Sequence, residues 1–356
     1  MNKEKYKKKM SKTKIIILTF IILLAACSSN KKKSYEEYAF SGRTTRTENM
    51  LTNLTRFTQK GVIIGQEYGT IQGIGWSCDS ARSDINSICN DNPAVVSYEL
   101  AGIESGKKQN KDNLPFTAIK KNVIDFFHHG GLVIMNWTCP ENANTENMLK
   151  EEVKQVAYYL NSLEDGYGFK VPVILNIMPI DGKSWYCKLN KEEYNNLYKE
   201  IKELLEDYDV KSIVWGYSET YKNDNSFLKL FTNEAEVINI NYTDNNTVKA
   251  NDYSSNLKQI LSKAVSFAQD NNKPIGLTTG IEGIPYNNFF SETLLPIIKQ
   301  YRLSYLMFGR NYGDYKEGHF FTPYPGENND IISDFMTFYN DESTIFRNKL
   351  NGLYLK

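Results

Sequence analysis

Four carboxylates fall where apolar runs give way to polar loops: Glu67, Glu99, Asp181 and Glu219. A carboxyl group at such a point can move a proton, attack a carbon centre or bond a hydroxyl. One stretch lacks it: "KPIGLTTGIEG", 273–283, ends its apolar run on Thr278 and Thr279, and Glu282 comes only after the turn. Around these ends cluster amides and aromatics, including Asn136-Trp137, Tyr217-Ser218, Asn241-Tyr242 and Arg310-Asn311. A set with many amides and few full charges suits an uncharged, hydroxyl-rich ligand, with indoles packing on apolar sugar faces. A plainer reading treats the same residues as an ordinary polar rim over buried indoles. Trp215, mid-strand in "SIVWGYS", is expected in the core, and both readings stand for Trp76, Trp137 and Trp185. The three histidines, His128, His129 and His319, lack metal-ligand spacing, and there is no Cys-x-x-Cys, so no metal is expected.

The elements that must position these residues are short, β-branched runs: 61–66, 94–100, 132–138, 171–179, 212–218, 237–243, 273–279 and 303–311. They are apolar throughout, as strands buried on both faces are. Amphipathic stretches separate them. "TAIKKNVIDFFHHGG" ends in a glycine pair, and "NKEEYNNLYKEIKELLEDYD" opens with a capping residue followed by glutamate. Eight strands alternating with helices predict a (β/α)8 TIM barrel, whose working face lies at the C-terminal strand ends. An open doubly wound sheet is the rival. No G-x-G-x-x-G follows an early strand, so neither a dinucleotide crevice nor a cofactor is expected.

The bulk numbers set limits. The 356 residues carry 42 basic and 42 acidic side chains, and this balance argues against nucleic acid as the main partner. The first 14 residues are basic, and Ile15 to Leu24 is an apolar run too short to span a bilayer as a mature helix. "LAAC", 24–27, resembles the lipobox of bacterial lipoproteins, which implies cleavage after residue 26, a lipid on Cys27 and anchoring at the bacterial cell envelope. The alternative is an ordinary signal peptide with a chance cysteine. Residues 27–45 read as a polar tether and 46–356 as the barrel. Export permits pairing of Cys78, Cys89, Cys139 and Cys187, and a bridge between Cys139 and Cys187 is expected if adjacent strands bring their loops together.

At the strand ends the chain resembles glycoside hydrolase family 26, best known for β-1,4-mannanases. "GVIIGQEYGTIQGIGW", "SDINSICNDNPAVVSYELAGIE", "HGGLVIMNWTCPEN" and "RNYGDYKEGHFFTPYPGENNDIISDF" carry the likeness in order. It implies an eight-stranded barrel with a glycan cleft contacted by Trp76, Asp84, Trp137, Trp185, Tyr186, Tyr217, Arg310 and Asn311. Members are retaining glycosidases, which need two carboxyl groups about 5–5.5 Å apart. The family's acid/base pattern, R-P-x-H-E, aligns with "NIMPI", so Ile180 falls on the glutamate. Its nucleophile pattern, L-T-E-T-G, aligns with "LTTG", so the glutamate is replaced by Thr279 or deleted. The resemblance therefore implies a polysaccharide-binding barrel with no catalytic residue in its usual place. Asp181, Glu282 and Glu219 are the fallback catalysts for a divergent, active enzyme, and a non-catalytic envelope scaffold is the third reading.

Overall fold

The structure, a computed structural model, describes residues 36–79, 82–141, 146–222, 224–245 and 249–356. The signal segment, Cys27 and the start of the tether lie outside the described residues. Among the described residues, no helix is long and apolar enough to cross a membrane.

Eight parallel strands form a closed barrel: β1 Val62–Glu67, β2 Val95–Glu99, β3 Leu132–Trp137, β4 Val173–Ile177, β5 Ile213–Thr220, β6 Val237–Asp244, β7 Ile275–Ile281 and β8 Tyr305–Phe308. Each pairs with the next, and β8 closes on β1 with Ile63 opposite Tyr305 and Gln66 opposite Phe308. A two-residue strand, β9 (Thr344–Ile345), adds to the start of β1. The expected strands thus pair in chain order, within a few residues of the expected bounds.

The helices form the outer layer: α1 Thr45–Phe57, α2 Asp84–Cys89, α3 Phe116–His128, α4 Glu146–Ser162, α5 Lys191–Asp207, α6 Ala250–Asp270, α7 Leu295–Gln300 and α8 Asn329–Asn340. The opening of α5 is a full capping box, Asn190 and Glu193 each bonding the other's backbone N–H. Residues 36–44, within the stretch read as tether, already bond the barrel. Glu36 accepts from the Lys170 N–H at 2.8 Å, and Arg43 pairs with Glu236 at 2.7 Å.

Inside the barrel, size is matched across strands. The Tyr305 ring lies where a β-carbon on Gly276 would stand, and the Asn176 amide occupies the corresponding space at Gly216. Any larger residue at 276 or 216 would displace a buried side chain. Outside the barrel, Phe290, Phe308, Phe335 and Phe338 pack edge to face between β8 and α8.

Candidate functional site

The C-terminal mouth of the barrel holds a cavity of about 90 Å³. Half of its wall is a belt of neutral polar groups. Asn176 on β4 donates to Asn136 on β3 at 2.8 Å. Asn239 on β6 donates to Asn241 at 2.7 Å, and Asn241 donates to Ser218 on β5 at 3.0 Å. Thr278 on β7 completes the belt, 3.4 Å from the Asn239 amide nitrogen. Asn239 lines the cavity, and its Oδ1 is buried and accepts no hydrogen bond among the described residues, whereas Asn176 lies outside the lining with its Oδ1 against Gly216. An unbonded acceptor such as Asn239 favours a ligand hydroxyl, because a buried polar atom costs free energy until it is bonded.

The other half is charged. Glu67 and Glu99, at the ends of β1 and β2, face the cavity with Lys111. Lys111 pairs with Glu99 at 2.7 Å, and Thr138 donates its backbone N–H and hydroxyl to the same carboxylate. Next to it, Arg310 pairs with Asp112 at 2.9 Å, and the Tyr68 hydroxyl donates to Asp112 at 2.6 Å. These bonds hold the loop between β2 and α3 across the mouth. Enclosure by protein pushes the Glu67 carboxyl up to about 7; Arg310 opposes the rise and Asp112 adds to it.

The family alignment and the structure meet at the ends of β4 and β7. Pairing of β4 breaks at Met178, whose φ is +50°, and resumes where Ile180 bridges Glu219. The break sets which side chains face inward. Pro179 and Asp181 line the mouth, whereas Ile180 lines a separate pocket of about 230 Å³ outside β4 and β5. On β7, Thr278 faces the mouth, and Thr279 turns outward to bond the Tyr253 hydroxyl of α6 at 2.5 Å. Both positions aligned with the family's catalytic glutamates therefore point away from the cavity.

Of the fallback carboxylates, only Asp181 reaches the mouth. It accepts from the backbone of Lys183 (2.7 Å) and Ser184 (2.8 Å) and from the Ser184 hydroxyl (2.9 Å). Burial alone would raise its carboxyl; the turn's donors outweigh that and hold it below the usual aspartate value. Glu219 lines the outer pocket, 2 % exposed, bonded to the Tyr217 hydroxyl at 2.6 Å and the Leu228 N–H at 2.9 Å. Burial pushes it up to about 7 against those two bonds. Glu282 pairs with His319 on the rim, and the imidazole of His319 stacks on Tyr312.

The expected glycan contacts divide in the same way. Trp137 is fully buried, with its indole N–H 3.3 Å from Glu104. Tyr217 is fully buried on the outer side of β5, against Phe231. Tyr186 is fully buried and donates to the Pro179 carbonyl. Asp84 is a buried clasp that accepts from the Ile74 N–H (3.0 Å), the Trp76 indole (2.8 Å) and the Asn311 amide (2.9 Å). Among the expected contacts only Trp185, on the turn after β4, and Arg310, stacked 4.3 Å from the Tyr312 centroid, are partly exposed. Sequence reasoning placed Glu67 and Glu99 at strand ends without choosing them as catalysts or glycan contacts, and it did not select Lys111. The two glutamates carried a signal, since both stand at strand ends; Lys111, in the polar run "GKKQNKDN", carried none.

The expected Cys139–Cys187 bridge is absent: Cys78, Cys89, Cys139 and Cys187 are all free thiols. The loops after β3 and β4 do meet, but through the Trp185 indole N–H, which donates to the Cys139 carbonyl at 3.1 Å. The Cys187 thiol turns instead to Asp181.

This arrangement places the chain with the (β/α)8 barrels whose strand ends form a polar cleft. More narrowly, the fold is that of the glycoside hydrolase family 26 β-mannanases. A family 26 β-mannanase from Bacteroides ovatus superposes with a TM-score of 0.80 at 26% identity, over 88% of this chain and 98% of that one. The catalytic domain of a Bacillus sp. family 26 endo-β-1,4-mannanase superposes at 0.77 and 17% identity, over 91% of this chain and 98% of that one. No protein-family model and no curated protein sequence matches the chain.

Proposed function

We propose that the protein is an envelope lipoprotein, anchored through Cys27, that holds β-mannan or a related polysaccharide at the barrel mouth with little or no hydrolysis. The observation that carries this reading is the set of side chains at the ends of β4 and β7. Pro179, Asp181 and Thr278 face the cavity there. Of these only Asp181 has a carboxyl group, and it is committed to the turn. A retaining mechanism needs a protonated acid and a free carboxylate facing each other. The amide belt and the partly exposed Trp185 support binding of a neutral, hydroxyl-rich chain. Affinity electrophoresis in galactomannan and glucomannan gels, run beside a reducing-sugar assay, tests the proposal. Retardation without sugar release is the expected result; sugar release refutes it.

One observation favours a second reading, a divergent retaining hydrolase. Glu67 and Glu99 stand on neighbouring strands, one protonated near neutrality and the other in an ion pair. That difference is how two carboxyls divide acid and nucleophile roles. If the wild type releases sugar and Glu67→Gln and Glu99→Gln each abolish the release, this reading replaces the first.

A further inference from the structure

A second pocket, of about 300 Å³, lies on the flank of the barrel between α2, α3 and the turn Arg347–Lys349. It is separate from the mouth, and its lining is unusual in one respect. Two guanidinium groups, Arg82 and Arg347, line it, and neither pairs with a carboxylate among the described residues. Arg82 lies over the Trp76 face. The Arg347 side chain makes no hydrogen bond among the described residues, and its Nη1 is buried. Burial lowers the Arg347 guanidinium below its ordinary value, although Tyr354, Asp91 and Asp125 act the other way. Buried cations are normally paired, because desolvation is costly.

Beside them the lining holds four asparagines, Asp125, Thr70, Phe126 and His129. Asn86, Asn92 and Asn348 contribute side chains that make no hydrogen bond among the described residues. The acidic group present, Asp125, is largely exposed and turned toward His129. A planar guanidinium fork fits a carboxylate with two parallel bonds. Free amides beside it can donate to and accept from hydroxyls. The volume is at the lower end for a ligand pocket, the scale of one sugar unit.

We propose that this flank pocket binds an acidic sugar, its carboxylate on Arg347 and Arg82 and its hydroxyls on the asparagines. The ligand class is a hexuronate, free or as one unit of an acidic polysaccharide. The competing structural explanation is that Arg347 serves the C-terminal end of α3, where a cation is favoured. That explanation predicts a stability role, and the two separate by experiment.

Calorimetric titration of the protein with glucuronate, glucose, inorganic phosphate and oligogalacturonate tests the proposal. Glucuronate is expected to bind, and glucose to bind at least about 10-fold more weakly, since a charge-assisted bond is lost. Arg347→Met should weaken glucuronate about 10- to 100-fold without lowering the melting temperature. Arg82→Gln should weaken it in the same direction and guards against misfolding of the first variant. Tighter binding of oligogalacturonate than of glucuronate identifies the polymer as the source, and equal binding identifies the free acid. Phosphate binding as well as glucuronate would overturn the sugar assignment. A lower melting temperature in Arg347→Met with unchanged glucuronate affinity would assign the cation to the helix end. Galactomannan retardation, a property of the mouth, should be unchanged in both variants.

Discussion

Glu219→Gln should make the protein more stable at alkaline pH and leave it unchanged at acid pH. The Glu219 carboxyl is 2 % exposed, and burial moves it from 4.5 to about 7. In the unfolded chain it ionises near the ordinary glutamate value. Between those two values the folded protein holds a proton that the unfolded chain has lost, so stability falls as pH rises. The shift spans about 2.5 units at about 1.4 kcal/mol each, a cost of about 3 kcal/mol once the pH exceeds 7. Glutamine cannot ionise, and its carbonyl can still accept from the Tyr217 hydroxyl and the Leu228 N–H. Urea unfolding of wild type and variant, from pH 4 to 9, measures the difference. The two should coincide near pH 4, and the variant should lead by about 3 kcal/mol near pH 8. Glu67 contributes with the same sign but is present in both proteins and cancels. A difference that stays flat with pH would show that Glu219 titrates normally and that its burial does not control its charge.

Asp84→Ala leaves the Ile74 N–H and the Trp76 indole N–H without an acceptor, while the Asn311 amide keeps Thr322, and should cost about 2–6 kcal/mol by chemical denaturation, as unmet buried groups cost about 1–3 each. Trp137→Ala should act as a core deletion of about 3–5 kcal/mol, whereas Trp185→Ala should reduce galactomannan retardation with little change in melting temperature. Cys27→Ser should move the protein from the membrane fraction to the soluble fraction, which fractionation and immunoblotting would detect.

The barrel was legible because each strand carries its own evidence: a β-branched run, buried on both faces, bounded by loop residues. The register at the strand ends was not. Alternation along β4 would put residues of one parity inward, but Met178 takes a left-handed backbone and shifts the phase, which no residue type in "NIMPID" announces. The aromatics misled for a related reason. Trp137 and Tyr217 stand at strand ends, as cleft residues do, yet the outward face there meets the helix layer and buries them. Asp84 and Asn311 were expected as glycan contacts, but both are buried and bond each other. Lys111 and Asp112 were invisible because a long polar loop gives no hint of which charge folds back over the mouth.

The shifted phase at the end of β4 also bears on how such a protein can change over generations. A glutamate introduced at 180 would enter the outer pocket beside Glu219, and one at 279 would meet Tyr253; neither would reach a sugar in the mouth. A carboxyl would enter the cavity at those ends from 179 or 278, whose side chains face it, and not from the aligned positions one residue on. Proteins of this fold that hold a glycan and those that cut one should then differ in which of two neighbouring positions, 179 or 180 on one strand and 278 or 279 on the other, faces the mouth.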